Sequence, residues 1–210
     1  MLSFWEKQSL LSTEIAIIGG GIAGLSVAAS IKERWPDKDV TIFERSILPY
    51  GASTRNAGFA CFGSLTEILS DVKIMGEEAA RELIFNRWIG LQITRKRLTD
   101  DAIGFLPLGG YELLNQSDLS ALDEMNRVNE LVADFLPDYI QLSHDVSKIG
   151  LRERKQTALV SFESEGQLDT GLLMKSLEAY VLQLGVKIRT GAAIDRFEKA
   201  ENGWRVRLED

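Results

Sequence analysis

Four consecutive apolar residues, Ile15-Ala16-Ile17-Ile18, run into Gly19-Gly20-Gly21, and after Ile22-Ala23-Gly24 the chain continues in a helical pattern. An uninterrupted apolar run of this length reads as a parallel strand buried on both faces. Gly19 allows a tight turn out of the strand. Gly21, lacking a Cβ, lets a diphosphate approach the backbone, and Gly24 lets the helix pack closely on the sheet. The free amides at the helix start, those of Ile22 and Ala23 among them, then face an anion. A glycine run alone is equally compatible with a plain turn, so its surroundings have to decide.

Those surroundings favour a nucleotide. The helix predicted over 22–34 meets a stop signal at Trp35-Pro36-Asp37, and a second apolar strand, Val40-Thr41-Ile42-Phe43, ends in Glu44-Arg45. The step from Gly24 to Glu44 is the spacing at which an acid on a strand tip can accept hydrogen bonds from a ribose. The other reading of Glu44 is a solvated strand end.

Next comes Gly51-Ala52-Ser53-Thr54-Arg55-Asn56-Ala57-Gly58, a loop of small residues with one fixed cation and hydrogen-bonding side chains. It suits a second contact with diphosphate or ribityl oxygens and a close approach to a flat ring. With the strand before it, this stretch resembles the flavin-binding start of the D-amino-acid oxidase, glycine oxidase and sarcosine oxidase superfamily. The resemblance implies FAD rather than NAD. It also implies an α/β fold, a Rossmann-like FAD-binding doubly wound sheet with an inserted α+β substrate-domain portion. The cofactor-binding residues it implies are Gly19, Gly21, Ile22, Ala23, Gly24, Glu44, Arg45, Ser53, Arg55, Asn56, Ala57 and Gly58.

A second match lies near the other end. Glu165-Gly166-Gln167-Leu168-Asp169-Thr170 leads into a helix over 171–184, with Asp169 or Thr170 as its cap and Gly185 at its end. A strand at Val186-Lys187-Ile188-Arg189 follows, then 192–197 and, after the Asn202-Gly203 hairpin signal, Trp204 to Leu208. In the resembled superfamily the strand end after this helix offers backbone groups to the adenine, which by position makes Ile194 the contact. An ordinary helix–strand unit with a hairpin accounts for the same residues.

The middle of the chain differs. Residues 66–99 read as one or two helices with Ile84, Trp88, Leu91 and Leu98 in one stripe, and Arg95, Lys96 and Arg97 as a solvated face near the C-terminal end. Phe105 to Leu108 and Gly110 to Leu114 look like strands around a glycine turn, 117–135 like a helix, and Ala158 to Phe162 like a strand. The resemblance implies a discontinuous organisation: FAD-binding pieces at 1–65 and 164–210 and a substrate-domain insertion at 66–163.

Composition removes other classes. A net charge of −7 without a basic cluster argues against a nucleic-acid partner, because the phosphate term would repel. One cysteine forbids an internal disulfide, and one histidine without clustered cysteines gives no metal-binding spacing. No stretch approaches the roughly 20 apolar residues needed for a membrane span, so a cytoplasmic protein is expected. His144 reads as a loop histidine, Cys61 as a small buried filler and Tyr111 as strand packing, although each is open to a role near a flavin or substrate.

The resemblance implies oxidation of an amino acid or secondary amine by hydride transfer to the flavin, with no catalytic residue assignable in this stretch. The alternatives are a flavin dehydrogenase of a 2-hydroxy acid or glycerol phosphate, and a non-catalytic nucleotide-binding half. The small-molecule partner is accordingly an amine, amino acid or hydroxy acid. In the superfamily the substrate-carboxylate groups come from a later half, so the chain reads as an N-terminal half. Its sheet is then expected to self-associate or to be completed by a partner chain.

Overall fold

The computed structural model describes residues 3–5, 12–48, 51–143, 150 and 157–209. Contacts divide the chain into two compact units, Met1–Ala57 with Thr170–Asp210, and Gly58–Asp169.

The first unit is built on parallel strands. β1 (Ile15–Ile18) is followed by α1 (Ile22–Arg34) and β2 (Val40–Phe43). A short 3-10 turn (Ala52–Thr54), α6 (Thr170–Gln183) and β8 (Lys187–Arg189) complete it, before the hairpin β9 (Ile194–Ala200) and β10 (Gly203–Leu208). β2 lies between β1 and β8, parallel to both, with Ile15 opposite Val40 and Thr41 opposite Lys187. This is the Rossmann-like parallel sheet the apolar runs predict. Leu25, Ala28 and Ala29 of α1 are buried with Val40 and Ile42 of β2 and Leu173, Leu177 and Val181 of α6. The α1–β2 connection is tied by Lys32, 8% exposed, whose ammonium donates to the carbonyls of Pro36 and Lys38, the latter at 3.1 Å. A buried lysine survives here because backbone oxygens replace its water.

One expectation about this sheet needs correcting. β1 is not buried on both faces: its residues alternate between half-buried and exposed, and Ile18 is 60% exposed. The central strand is β2, in which Val40, Thr41 and Ile42 are buried. The reason is position, since β1 among the described residues has a ladder partner on one side only. The hairpin is as predicted, antiparallel across the turn at Glu201-Asn202 with Gly203 opposite Ala200, and a register shift between Arg207 and Leu208 brings Leu208 opposite Ile194.

The second unit begins at β3 (Phe59–Ala60), followed by α2 (Leu65–Met75), α3 (Glu77–Leu98) and α4 (Asp100–Ile103). Then come β4 (Gly110–Leu114), a 3-10 turn (Leu119–Glu124), α5 (Met125–Val132), β5 (Gln141–Ser143), β6 (Ala158–Phe162) and β7 (Gly166–Gln167). β6 is flanked by β4 and β5, both antiparallel to it, and β3 pairs antiparallel with β7. The core packs Phe62, Leu65, Ile68, Ile84, Val128, Val132, Tyr139 and Phe162 together, with Trp88 and Leu91 against it. The predicted stripe thus faces the core.

Residues 66–99 resolve into two helices because Gly76, at φ +85°, ends the first and starts the second. Ser64 caps α2 by accepting from the Glu67 N–H. The basic end of α3 is not wholly solvated: Arg95 donates twice to the Asp100 carboxylate at 2.7 Å, which holds that carboxyl below its usual range. Two further expectations change. Phe105 to Leu108 form no strand, only an isolated bridge between Leu106 and Gln167. The helix expected over 117–135 is shortened to a 3-10 turn followed by eight α-helical residues. Asn129 of that helix reaches outside it, its side-chain amide pairing with both the N–H and the C=O of Ile140 at 2.9 and 2.8 Å.

Candidate functional site

Within the first unit the glycine turn, the tip of β2 and the 51–56 loop converge. Gly19 leaves β1 at φ +99°, a conformation open to glycine, and its N–H donates to the Phe43 carbonyl at 2.8 Å. Gly21 starts α1 without a side-chain cap of its own, and no acidic residue stands in the first turn, which includes Ile22 and Ala23. That end of the helix therefore keeps its positive character. A Cβ on Gly24 would lie 2.0 Å from the Gly19 carbonyl oxygen, so the helix approaches the turn as closely as a residue without a side chain permits.

Glu44 is not a free strand end. One carboxylate oxygen accepts from the Gly20 N–H at 2.7 Å and the other from the Ser46 N–H at 3.0 Å, so the acid is fixed beside the glycine turn. Ser53 approaches from the loop, its hydroxyl accepting from the Ile22 N–H at 3.0 Å. Asn56 holds that loop in shape by donating to the carbonyls of Ala52 and Ser53 at 3.0 and 3.1 Å. Beyond β8 the Ala192 N–H donates to the Glu44 carbonyl at 2.9 Å, which brings the chain past the strand tip just before Ile194.

The structure thus gathers Gly19, Gly21, Ile22, Ala23, Gly24, Glu44 and Ser53 in one place, with Asn56 as a support. Arg45, Asn56 and Ala57 lie toward the surface with Arg55 beside them, and Ile194 is half-buried at the start of β9. Gly58, buried at φ +75°, belongs to the second unit, where its carbonyl accepts from the Leu168 N–H at 2.8 Å.

A family model described as FAD dependent oxidoreductase matches residues 14–210. The chain belongs to this FAD dependent oxidoreductase family. Its curated relative gamma-glutamylputrescine oxidoreductase, from Escherichia coli (strain K12), is 30% identical over 116 residues, 54% of this chain and 27% of the relative. Among solved structures, the L-amino acid deaminase of Proteus vulgaris with its specific insertion deleted superimposes with a TM-score of 0.68 at 19% identity. That match covers 91% of this chain and 48% of the deaminase. Glycine oxidase from Geobacillus kaustophilus gives 0.63 at 18% identity, over 92% of this chain and 50% of the oxidase. These structures share the fold, and the chain spans about half their length.

FAD, the family's cofactor, fits the residues present. Its diphosphate requires backbone amides and a turn without side chains, and the start of α1, with no acid in its own first turn, offers both. A Cβ on Gly21 would lie 2.9 Å from the Ser53 hydroxyl, so this is a crevice that a side chain would fill.

Two features are not legible in the sequence. Gly20 matters for a reason of packing: a Cβ there would lie 3.3 Å from the Glu44 Cβ and 3.4 Å from a carboxylate oxygen. The three-glycine run was a signal, but nothing in it pointed to Glu44 as the group packed against its middle member. The second is in the other unit, where Glu165, only 7% exposed, meets Tyr139 and the Phe62 backbone. A glutamate in a polar turn gives no sign of burial.

The single-residue expectations fare differently. Cys61 is exposed, not a buried filler: its neighbours Ala60 and Phe62 are buried, and in extended chain the residue between them points to the opposite side. Its thiol is nevertheless raised, first by partial desolvation and then by Glu165 and Glu67, which argues against a reactive thiolate. Tyr111 is 44% exposed on β4 and so is not core packing. His144 lies outside the described residues.

Glu44→Gln tests the acid directly. It keeps the shape but sets an amide NH2 against one of two backbone N–H groups, and is expected to weaken FAD binding by about 1–3 kcal/mol. Flavin fluorescence titration measures this, and an unchanged affinity would remove Glu44 from the ribose contact.

Proposed function

We propose that this chain forms the cofactor-binding and partial substrate-domain portion of an oxidoreductase acting on an amino acid or a secondary amine. The observation that carries the reading is the glycine-built start of α1 set between the Glu44 carboxylate and Ser53, in a chain of the FAD dependent oxidoreductase family. The amine class is supported by the relatives, whose names specify gamma-glutamylputrescine, L-amino acids and glycine.

In this reading Gly19, Gly21, Ile22, Ala23 and Gly24 receive the diphosphate, Glu44 and Arg45 the adenosine ribose, and Ile194 the adenine. Ser53, Arg55, Asn56 and Ala57 make the second contact, with diphosphate or ribityl oxygens and the ring. FAD, when bound, supplies the hydride acceptor. The protein's share is to fix the cofactor against the glycine turn and orient it. The first unit then serves as the FAD-binding part and residues 58–169 as part of the substrate domain.

The absorption spectrum of the purified protein, taken after incubation with FAD and desalting, tests the reading. Retained flavin bands are expected, and in the presence of the later half that supplies the substrate-carboxylate groups the flavin is expected to bleach anaerobically with an amino acid or secondary amine. Bleaching by glycerol phosphate or a 2-hydroxy acid instead would move the substrate class to alcohols, in line with the structural likeness to an L-alpha-glycerophosphate oxidase of Mycoplasma pneumoniae.

A further inference from the structure

The second unit is entered through β3 and left through β7, and the side chain that ties the ends of these two strands together is Glu165. It is 7% exposed and immediately precedes β7. One of its oxygens, Oε1, accepts from the Phe62 N–H at 2.8 Å, two residues beyond β3. The same oxygen lies 2.6 Å from the Tyr139 hydroxyl, and that hydroxyl lies 2.8 Å from the Gly63 carbonyl oxygen. Tyr139 is fully buried between the rings of Phe62 and Phe162.

Counting protons decides how these contacts are made. A phenol carries one proton and the Gly63 carbonyl carries none. If Glu165 were a carboxylate, the Tyr139 proton would serve one oxygen and leave the other facing a lone pair at hydrogen-bond distance, away from water. A proton on Glu165 satisfies every contact. Oε1–H then donates to the tyrosine oxygen, the tyrosine O–H donates to Gly63, and the Phe62 N–H still finds a lone pair on Oε1.

We propose that Glu165 is held as the neutral carboxylic acid in the folded protein, closing a proton-dependent clamp on the two strands that lead into and out of the second unit. The surroundings agree. Its other oxygen faces Gly110 of β4, where a Cβ would come within 2.4 Å of it. The charged groups nearby are Glu67 on α2, which opposes ionisation, and Arg87 on α3. Arg87 is engaged by Glu67 at 2.9 Å and the Phe62 carbonyl at 3.0 Å. The Cys61 thiol beside them is itself pushed up, by its partial burial first and then by Glu165. Burial raises the Glu165 carboxyl even where the Tyr139 hydroxyl is taken as a donor to the carboxylate and the backbone of Phe62 and Gly63 pulls it down.

The pH dependence follows with a definite sign. In the unfolded chain Glu165 ionises near the ordinary 4.5, while in the folded protein it keeps its proton to higher pH. The stability it contributes is therefore complete below that ordinary value and declines as pH rises toward the folded one. Above it, the clamp is ionised and the Tyr139–Gly63 bond competes for a single proton.

Infrared difference spectroscopy of the whole protein tests this. Wild type minus Glu165→Gln, followed upward from the ordinary 4.5, is expected to show a protonated-carboxyl C=O band that persists to higher pH than a free glutamic acid would give and moves on transfer to heavy water. The advantage of wild type over Glu165→Gln in denaturation midpoint is expected to shrink as pH rises from the ordinary 4.5 toward the folded value and to level off above it. A difference spectrum that loses carboxylate bands instead, or a pH-independent midpoint difference, overturns the proposal. If Glu165→Gln fails to fold, Tyr139→Phe serves in its place. Losing the acceptor of the carboxyl proton should shift the C=O band to higher frequency, and an unshifted carboxyl region overturns the clamp.

Discussion

Gly24→Ala is expected to destabilise the protein by about 2–3 kcal/mol, the usual scale of forced overpacking. The sign is informative, because in an ordinary helix interior the same change would stabilise by up to about 1 kcal/mol through backbone entropy and propensity. Here the added methyl would lie 2.0 Å from the Gly19 carbonyl oxygen and 3.4 Å from Ile17 Cγ2. The obstructing atom belongs to the backbone of the turn, so relief requires α1 to lift from β1. Urea denaturation read by circular dichroism measures the effect as a lower midpoint. A midpoint equal to or above wild type would show that the turn yields freely and that the close approach of helix and turn is not needed.

Gly21→Val is expected to act on the cofactor and not on the fold. Gly21 has φ −79° and ψ −177°, a conformation open to any residue, so the backbone is not strained by a side chain there. The first carbon alone comes within 2.9 Å of the Ser53 hydroxyl, and valine adds two methyls to the same crevice. We expect FAD affinity to fall at least about 100-fold, about 3 kcal/mol, with a denaturation midpoint close to that of wild type without FAD. Equilibrium dialysis against FAD measures the first and circular dichroism the second. Full retention of flavin would refute the assignment of the glycine turn as the diphosphate site. The two glycines thus separate packing from binding within one motif.

Much of the first unit was legible because its signals are local. The helix at 22–34 was bounded by the glycine run and by Trp35-Pro36, and β2 by its β-branched run, and both are found at the expected residues. The hairpin was announced by Asn202-Gly203. Signals failed where neighbours in space set the outcome. The apolar run of β1 says that its residues prefer burial, but the degree of burial depends on how many strands flank it. The run at Phe105 to Leu108 has strand propensity, yet only Leu106 meets a bridge partner, and that partner, Gln167, lies far along the chain. Helical periodicity over 117–135 could not disclose the 3-10 first portion, nor the use of Asn129 as a backbone mimic for Ile140.

The same division runs through the candidate site. From its sequence alone this protein is readable as an α/β dinucleotide-binding chain, because a glycine turn and a strand-tip acid at Glu44 stand at fixed spacing, and the resemblance carried by the Gly51 to Gly58 loop implies FAD. Only the tertiary structure decided that Glu44 is clasped by the Gly20 and Ser46 amides and that Ser53 stands at the start of α1. It alone placed Glu165 out of water beside Tyr139, a residue from a distant part of the chain. Spacing along the chain encodes turns and periodic faces, which depend on near neighbours. Hydrogen-bond partners and burial depend on groups that only folding brings together, and no local pattern carries them.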